Sequence, residues 1–224
     1  PSKGGTIQWA KPAEGERVAL FDKHVEYLTG ILDSSGATYT KTSDGAGGYT
    51  ITMPENTNYI GQPTRLNGQI KPMLDRALWS EPSDIVVNQH NSGNPIFPFV
   101  VMTAAESHFM VAEAITKGLA SGDAQGHYQT GLRHAMSLWD VSSTDIENFI
   151  ATESMALLNG STDQNLEKIA TQRWIALFTN GYEAWAVVRD TGYPTELSNG
   201  VSDDDIFVLG CLLYTSDAAD EGSS

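Results

Sequence analysis

The chain has 224 residues, 40% hydrophobic and 18% charged, and its 28 acidic against 13 basic side chains give a formal net charge of −15. That composition belongs to a folded chain and excludes a disordered one, while the acidic balance repels phosphate backbones and argues against nucleic acid as a partner. No apolar run reaches the 18 or so residues of a membrane-spanning helix, and the single cysteine, Cys211, has no intrachain disulfide partner.

Residues 16–32, ERVALFDKHVEYLTGIL, set Val18, Phe21, Val25, Leu28 and Leu32 at steps of three and four, which predicts an amphipathic helix. The Ser-, Gly- and Thr-rich stretch 33–48 reads as a loop, and GYTITM at 48–53 as a short strand. From 54 to 98 the chain is punctuated by Pro54, Pro63, Pro72, Pro82, Pro95 and Pro98. Proline fixes φ and removes a donor, so long regular elements are not expected there; Ile85, Val86 and Val87 are a candidate short strand.

Beyond Val100 the texture turns helical. The first helix is predicted over 100–117, closed by Gly118, with Met102, Ala105, Phe109, Ala112 and Ile115 inward. The second spans 123–139, capped by Asp123, with Tyr128, Leu132, Ala135 and Trp139 on one face. The third spans 145–158, with Thr144 and Glu147 spaced as a capping box. The fourth spans 163–179, with Leu166, Ile169, Ala170, Trp174, Leu177 and Phe178 apolar, and Asn180-Gly181 is expected to end it through a left-handed residue. A short fifth helix over 182–189 is closed by Gly192 and Pro194. Short connections predict antiparallel pairs. The expected fold is mainly α, with tetratricopeptide-like helix pairs, a Pro-rich irregular region and at most minor β, although no 34-residue repeat is evident.

Few constellations carry chemistry. Glu106 and Glu113 in ESHFMVAE lie two turns apart on one helix side, about 10 Å along the axis. Two carboxylates facing a groove could work on a glycosidic bond, which needs a pair about 5–9.5 Å apart. The ordinary reading is helix electrostatics and buried hydrogen bonds. His108 sits far around the helix from that carboxylate face, so a shared metal is not expected. His127 and His134 share a face but lie too far apart to pair directly, and His24 and His90 are scattered. No nucleotide, zinc-protease, hydrolase or CxxC motif occurs, and no metal or cofactor is expected.

Aromatics divide into two sets. Trp9, Tyr59 and Trp79 sit in loop-like sequence, where a ring can stack on a pyranose. Tyr59 and Trp79 are the candidate ligand-binding residues, because Asn56, Asn58 and Gln62 flank the first and Asn88 and Gln89 follow the second. The plain alternative is packing onto their own domain. The second set lies in TQRWIALFTNGYEAWAVVRDTGYP, 171–194. There Trp174 pairs in spacing with Phe178 and Tyr182 with Trp185, with Arg173, Glu183 and Arg189 placed to satisfy helix ends and one another. This stretch reads as scaffold.

ESHFMVAEA at 106–114, HYQTGLRHAMSLWDV at 127–141 and EKIATQRWIALFTNGYEAWAVVRDTGYP at 167–194 follow one another in an order that resembles SusD/RagB-like outer-membrane proteins of the Bacteroidota. The resemblance is dense over 100–194 and thin before it, where PTRLNG at 63–68 fits. It implies a surface lipoprotein of the cell outer membrane that binds an oligosaccharide or other nutrient, does not cleave it, and works with a SusC-like TonB-dependent transporter. The membrane attachment it implies is a lipid anchor on a cysteine preceding the residues given. No ligand residue is carried over. Two other readings stand beside it: a glycoside-active enzyme using Glu106 and Glu113, and a helical-repeat scaffold that binds protein.

The tail CLLYTSDAADEGSS resembles the translation of a transposase mosaic end and sequencing adapter from Cys211 through Glu221. The resulting expectation is one domain fragment over 1–210, irregular over 1–99 and a helical framework over 100–194, followed by a non-native tail at 211–224.

Overall fold

The computed structural model describes residues 2–15, 17–55, 59–63, 66–82, 100–198, 203 and 205–207. The candidate strand at 85–87, His90, the amides at 56, 58, 88 and 89, and Cys211 with its tail lie outside them. The chain divides into two compact units, Pro1–Phe97 with Val201–Gly210, and Pro98–Gly200 with Cys211–Ser224.

In the first unit, helix α1 (Arg17–Ser34) buries Phe21, Val25, Leu28 and Leu32, the stripe read from the sequence. A three-stranded antiparallel sheet accompanies it: β1 (Gly5–Trp9), β2 (Thr40–Ser43) and β3 (Tyr49–Met53), in the order β1-β3-β2. Two of these strands were not legible. β2 is exposed at every position, so it carries no apolar alternation, and it lies inside the stretch expected to be loop. β1 places Trp9, expected on a loop, opposite Tyr49 in the register. Trp9 is buried, and its indole N–H donates to the Met73 carbonyl at 2.9 Å. Among its described residues the Pro-rich segment has no long element, only a 3-10 turn at Lys71–Met73, yet it supplies Ile60, Leu66, Ile70, Met73, Leu78 and Trp79 to the core. Asp203 and Asp205 meet Lys23 of α1 at 2.8 and 2.6 Å, and the Asp205 carbonyl takes the Asn67 amide and contacts His24 Nε2.

The second unit is helical: α2 (Ala104–Thr116), α3 (Ala124–Ser137), α4 (Ser143–Thr152), α5 (Thr162–Ala176), α6 (Gly181–Thr191) and a final turn α7 (Thr195–Ser198). Helix α2 packs on α3 and α5, and α6 packs on α5. Its main core gathers Ala105, Phe109, Ala112, Tyr128, Leu132 and Ile169. Gly131 makes the closest approach possible, because a Cβ there would stand 2.6 Å from the Phe109 ring.

Caps correct several expected boundaries. Thr103 caps α2, so Met102 precedes the helix and is 58% exposed instead of buried. Asp123 caps α3 as expected, accepting from the Gly126 N–H. The third helix is capped by Ser142, not Thr144, and stops at Thr152 before a 3-10 turn at Ser154–Ala156. Ser161 and Gln164 form a capping box on α5 that the sequence reading missed. Asn180 is not left-handed: at φ −116° its side chain accepts from the Glu183 N–H and starts α6, which then runs on to a left-handed Gly192.

Candidate functional site

Tyr59 and Trp79 come close to each other in the fold but face opposite environments. The Ser80 N–H donates to the Ile60 carbonyl at 2.8 Å, and the Ile60 N–H donates to Ser80 Oγ at 2.9 Å. Ile60 is fully buried, which anchors this clamp. On one side Tyr59 is 78% exposed, its ring open to solvent. On the other Trp79 is 2% exposed, packed into the core of the first unit with Leu78. A stacking platform needs an open ring face, and in this packing only Tyr59 offers one. Gln62, three residues on, is exposed beside it.

The two carboxylates of α2 are joined by a residue from α5. Arg173 Nη2 lies 3.3 Å from Glu106 Oε1, and Nη1 lies 3.8 Å from Glu113 Oε2. Glu106 is only 5% exposed. Glu113 also holds Lys117, one turn further along α2. Arg173 was expected to engage helix ends near Glu183 and Arg189; the helix packing turns it to α2 instead. A buried carboxylate engaged by a guanidinium is a cross-link between helices, not a group poised over an open groove.

Three of the imidazoles, His108, His127 and His134, are gathered, while His24 lies on α1 of the first unit. His108 of α2 inserts against α3 and meets both His127 and His134. Its Nδ1 is 3.0 Å from Nδ1 of His127, and its ring stacks on that of His134 at 5.6 Å between centroids and 16° between planes. The spacing of His127 and His134 does forbid direct pairing along α3, but an imidazole from the next helix fills the gap. The signal was present: Gly131 lies between the two histidines on the same face, and a glycine there admits a close neighbour. Burial pushes the His108 imidazole below the ordinary histidine range, and the fields of His127 and then His134 push the same way. Among the described residues no group of three His, Cys, Asp or Glu side chains has the arrangement of a metal site.

The aromatic corner around Asn180 is partly open. Trp174 packs against the small core of Ala170, Leu177 and Val187. Phe178 is 57% exposed and meets Trp139 edge-on at 5.9 Å. Tyr182 is 92% exposed, and Trp185, at 36%, carries the Arg189 guanidinium over its ring at 4.6 Å. The scaffold reading therefore holds for Trp174, while Tyr182 and Trp185 present apolar surface.

The order of elements in the second unit, and the framework character of its aromatic and charged residues, can now be set beside known proteins. Residues 49–208 match the model of the SusD-like family described as starch-binding and associating with the outer membrane. The chain belongs to this SusD-like family. A SusD homolog from Bacteroides fragilis NCTC 9343 has the same fold, at 22% identity and a TM-score of 0.50, over 87% of this chain and 46% of its own. A SusD-like protein AC2a of the Bacteroidetes is 29% identical over 55% of this chain and 27% of its own, with a TM-score of 0.44. A Bacteroides vulgatus ATCC 8482 outer-membrane protein, described in terms of nutrient binding, is 18% identical, with 88% of this chain and 45% of its own covered and a TM-score of 0.47. This SusD-like chain thus spans less than half the length of the solved proteins it matches. No curated protein sequence matches it.

Proposed function

We propose that this SusD-like chain binds a neutral oligosaccharide at the outer membrane and does not cleave it. It acts as the capture component for a TonB-dependent transporter, held at the surface by a lipid anchor on the whole protein. The observation that carries the reading is the match of residues 49–208 to a starch-binding, outer-membrane-associated family. The net charge of −15 supports a neutral ligand over an anionic one. Tyr59 is the residue proposed to stack on a sugar ring, since its face is open and its backbone is fixed by the Ile60–Ser80 clamp. Trp79 serves from below, as core beneath that clamp. The glycoside-active reading loses support, because Glu106 is buried and engaged by Arg173.

Retardation of the chain in native gels containing soluble starch, and titration with maltooligosaccharides, test the proposal. Retardation that free oligosaccharide reverses is the expected result. Binding to no glycan across a panel of α- and β-linked polysaccharides would overturn it. The protein-binding scaffold remains the second reading, and one observation favours it: Ile175, Phe178 and Tyr182 expose apolar surface on a strongly acidic chain.

A further inference from the structure

The three-imidazole contact between α2 and α3 is used neither by the sugar-binding proposal nor by the framework. Its geometry is specific. Two Nδ1 atoms 3.0 Å apart can bond only if one donates and the other accepts. A neutral pair satisfies this, and so does a pair with a single positive charge, because a cationic ring donates to a neutral one. A pair in which both rings are cationic cannot. Each Nδ1 then carries a proton, two donors face each other, and like charges stand at contact distance in a half-buried site. His134, stacked on the other side of His108, adds a third charge of the same sign when it is protonated.

We propose that His108 and His127, with His134 stacked on His108, form a proton latch on the α2–α3 hairpin, closed while the Nδ1 pair shares one proton and opened when each takes its own.

The surrounding charges leave the latch uncompensated. On α2 itself, Glu106 and Glu113 lie toward α5, where Arg173 takes both. Lys117 is held by Glu113. On α3, Arg133 is turned to Glu147 of α4, which takes its guanidinium in two hydrogen bonds, at 2.7 and 2.9 Å. Asp123 caps α3 through Gly126. Lys168 of α5 is bound to the carbonyls of Ser154 and Leu157. The charged groups acting on His108 are His127 and His134, both of the sign that resists protonation, and burial acts in the same direction. The histidine takes its proton near 6.5 in the unfolded chain and lower in the fold. Between those two values the unfolded state binds more protons, so stability falls with pH from about 6.5 downward and levels off below the folded value.

Gly131 makes the device possible. The bare backbone beneath Phe109 brings α2 near enough for one imidazole to lie between two others. Opening the latch would loosen the hairpin that carries Phe109, Tyr128 and Leu132 in the main core of the second unit. The inference stands independently of the sugar-binding reading.

The test is hydrogen exchange by mass spectrometry on the full chain at pH 7.5 and 5.0, corrected for intrinsic exchange rates, with the histidine ring signals followed by NMR. Expected is a loss of protection of tenfold or more at pH 5.0 in peptides from α2 and α3, with α1 unchanged. The His108 ring should titrate below 6.5. In His127→Gln the low-pH loss should shrink several-fold, since the amide can bond to His108 in either protonation state. His134→Gln, at the stacked position, should shrink it less. A His108 ring that titrates no lower than 6.5, or equal α2–α3 protection at both pH values in the wild type, would overturn the proposal even if a variant failed to fold.

Discussion

Arg173 on α5 spans two turns of α2, with one nitrogen 3.3 Å from Glu106 and another 3.8 Å from Glu113. The side chains of Arg173 and Glu106 retain only 17% and 7% of their accessibility. Removing one partner of such a pair strands a charge in the interior, which costs about 3–5 kcal/mol, whereas replacing both together is often close to neutral.

Arg173→Met should therefore lower stability by about 3 kcal/mol, toward the low end because Glu113 keeps Lys117. The double variant Arg173→Met with Glu106→Gln should recover most of that loss. Urea denaturation of the four chains of this cycle measures the coupling. Additive effects would mean that the pair is not a cross-link.

Gly131 gives a second test with competing signs. Alanine in a helix interior gains about 1 kcal/mol over glycine in propensity. Here the new Cβ would stand 2.6 Å from the buried Phe109 ring, and overpacking costs about 1–3 kcal/mol. Gly131→Ala should be net destabilising, and Phe109→Leu in the same chain should return part of the loss. A rise in melting temperature for Gly131→Ala would show that α2 and α3 are not packed this closely.

What the sequence disclosed follows from which interactions are local. The α1 stripe from Phe21 to Leu32 and the Asp123 cap depend on residues within a turn or two, and they were legible. β2 was not, because TKTS is exposed at all four positions and its strand state comes from pairing with β3. The burial of Trp79 was hidden for the same reason: the core it joins includes residues of α1 and the sheet, far off in sequence. The histidine contact fell between these cases. Each ring was visible, as was the glycine between two of them, but the pairing of α2 with α3 at that depth is a tertiary fact. The family resemblance over 100–194 rested on framework residues, so it identified the fold and named no ligand residue.

Tyr128 is fully buried, and its hydroxyl donates to the Met155 carbonyl at 2.7 Å. Burial raises its phenol pKa above the ordinary tyrosine range, so the group stays a donor throughout physiological pH. Tyr128→Phe removes the donor and leaves the carbonyl to find another partner, at a net cost of about 1–2 kcal/mol. Thermal unfolding should show the loss with no change in its pH dependence between 6 and 9. An effect larger than that of truncating Phe109 would mean that the hydroxyl supports more than one contact.

Tyr59 and Trp79 should separate binding from stability. Trp79 is a core side chain, and truncating a large buried aromatic costs about 3–5 kcal/mol. Trp79→Ala should lower the melting temperature strongly. Trp79→Phe should lower it little, because the buried indole N–H has no hydrogen-bond partner to lose among the described residues. Tyr59→Ala should leave the melting curve nearly unchanged, since a ring 78% exposed contributes little burial. Its effect should appear in binding instead. An aromatic contact is worth about 0.5–1.5 kcal/mol beyond its area, so affinity for a bound oligosaccharide should fall roughly threefold to tenfold or more. Calorimetric titration of wild type, Tyr59→Ala and Tyr59→Phe decides it, with phenylalanine expected to keep most of the stacking. Equal affinity in Tyr59→Ala and wild type, with binding intact, would remove Tyr59 from the site.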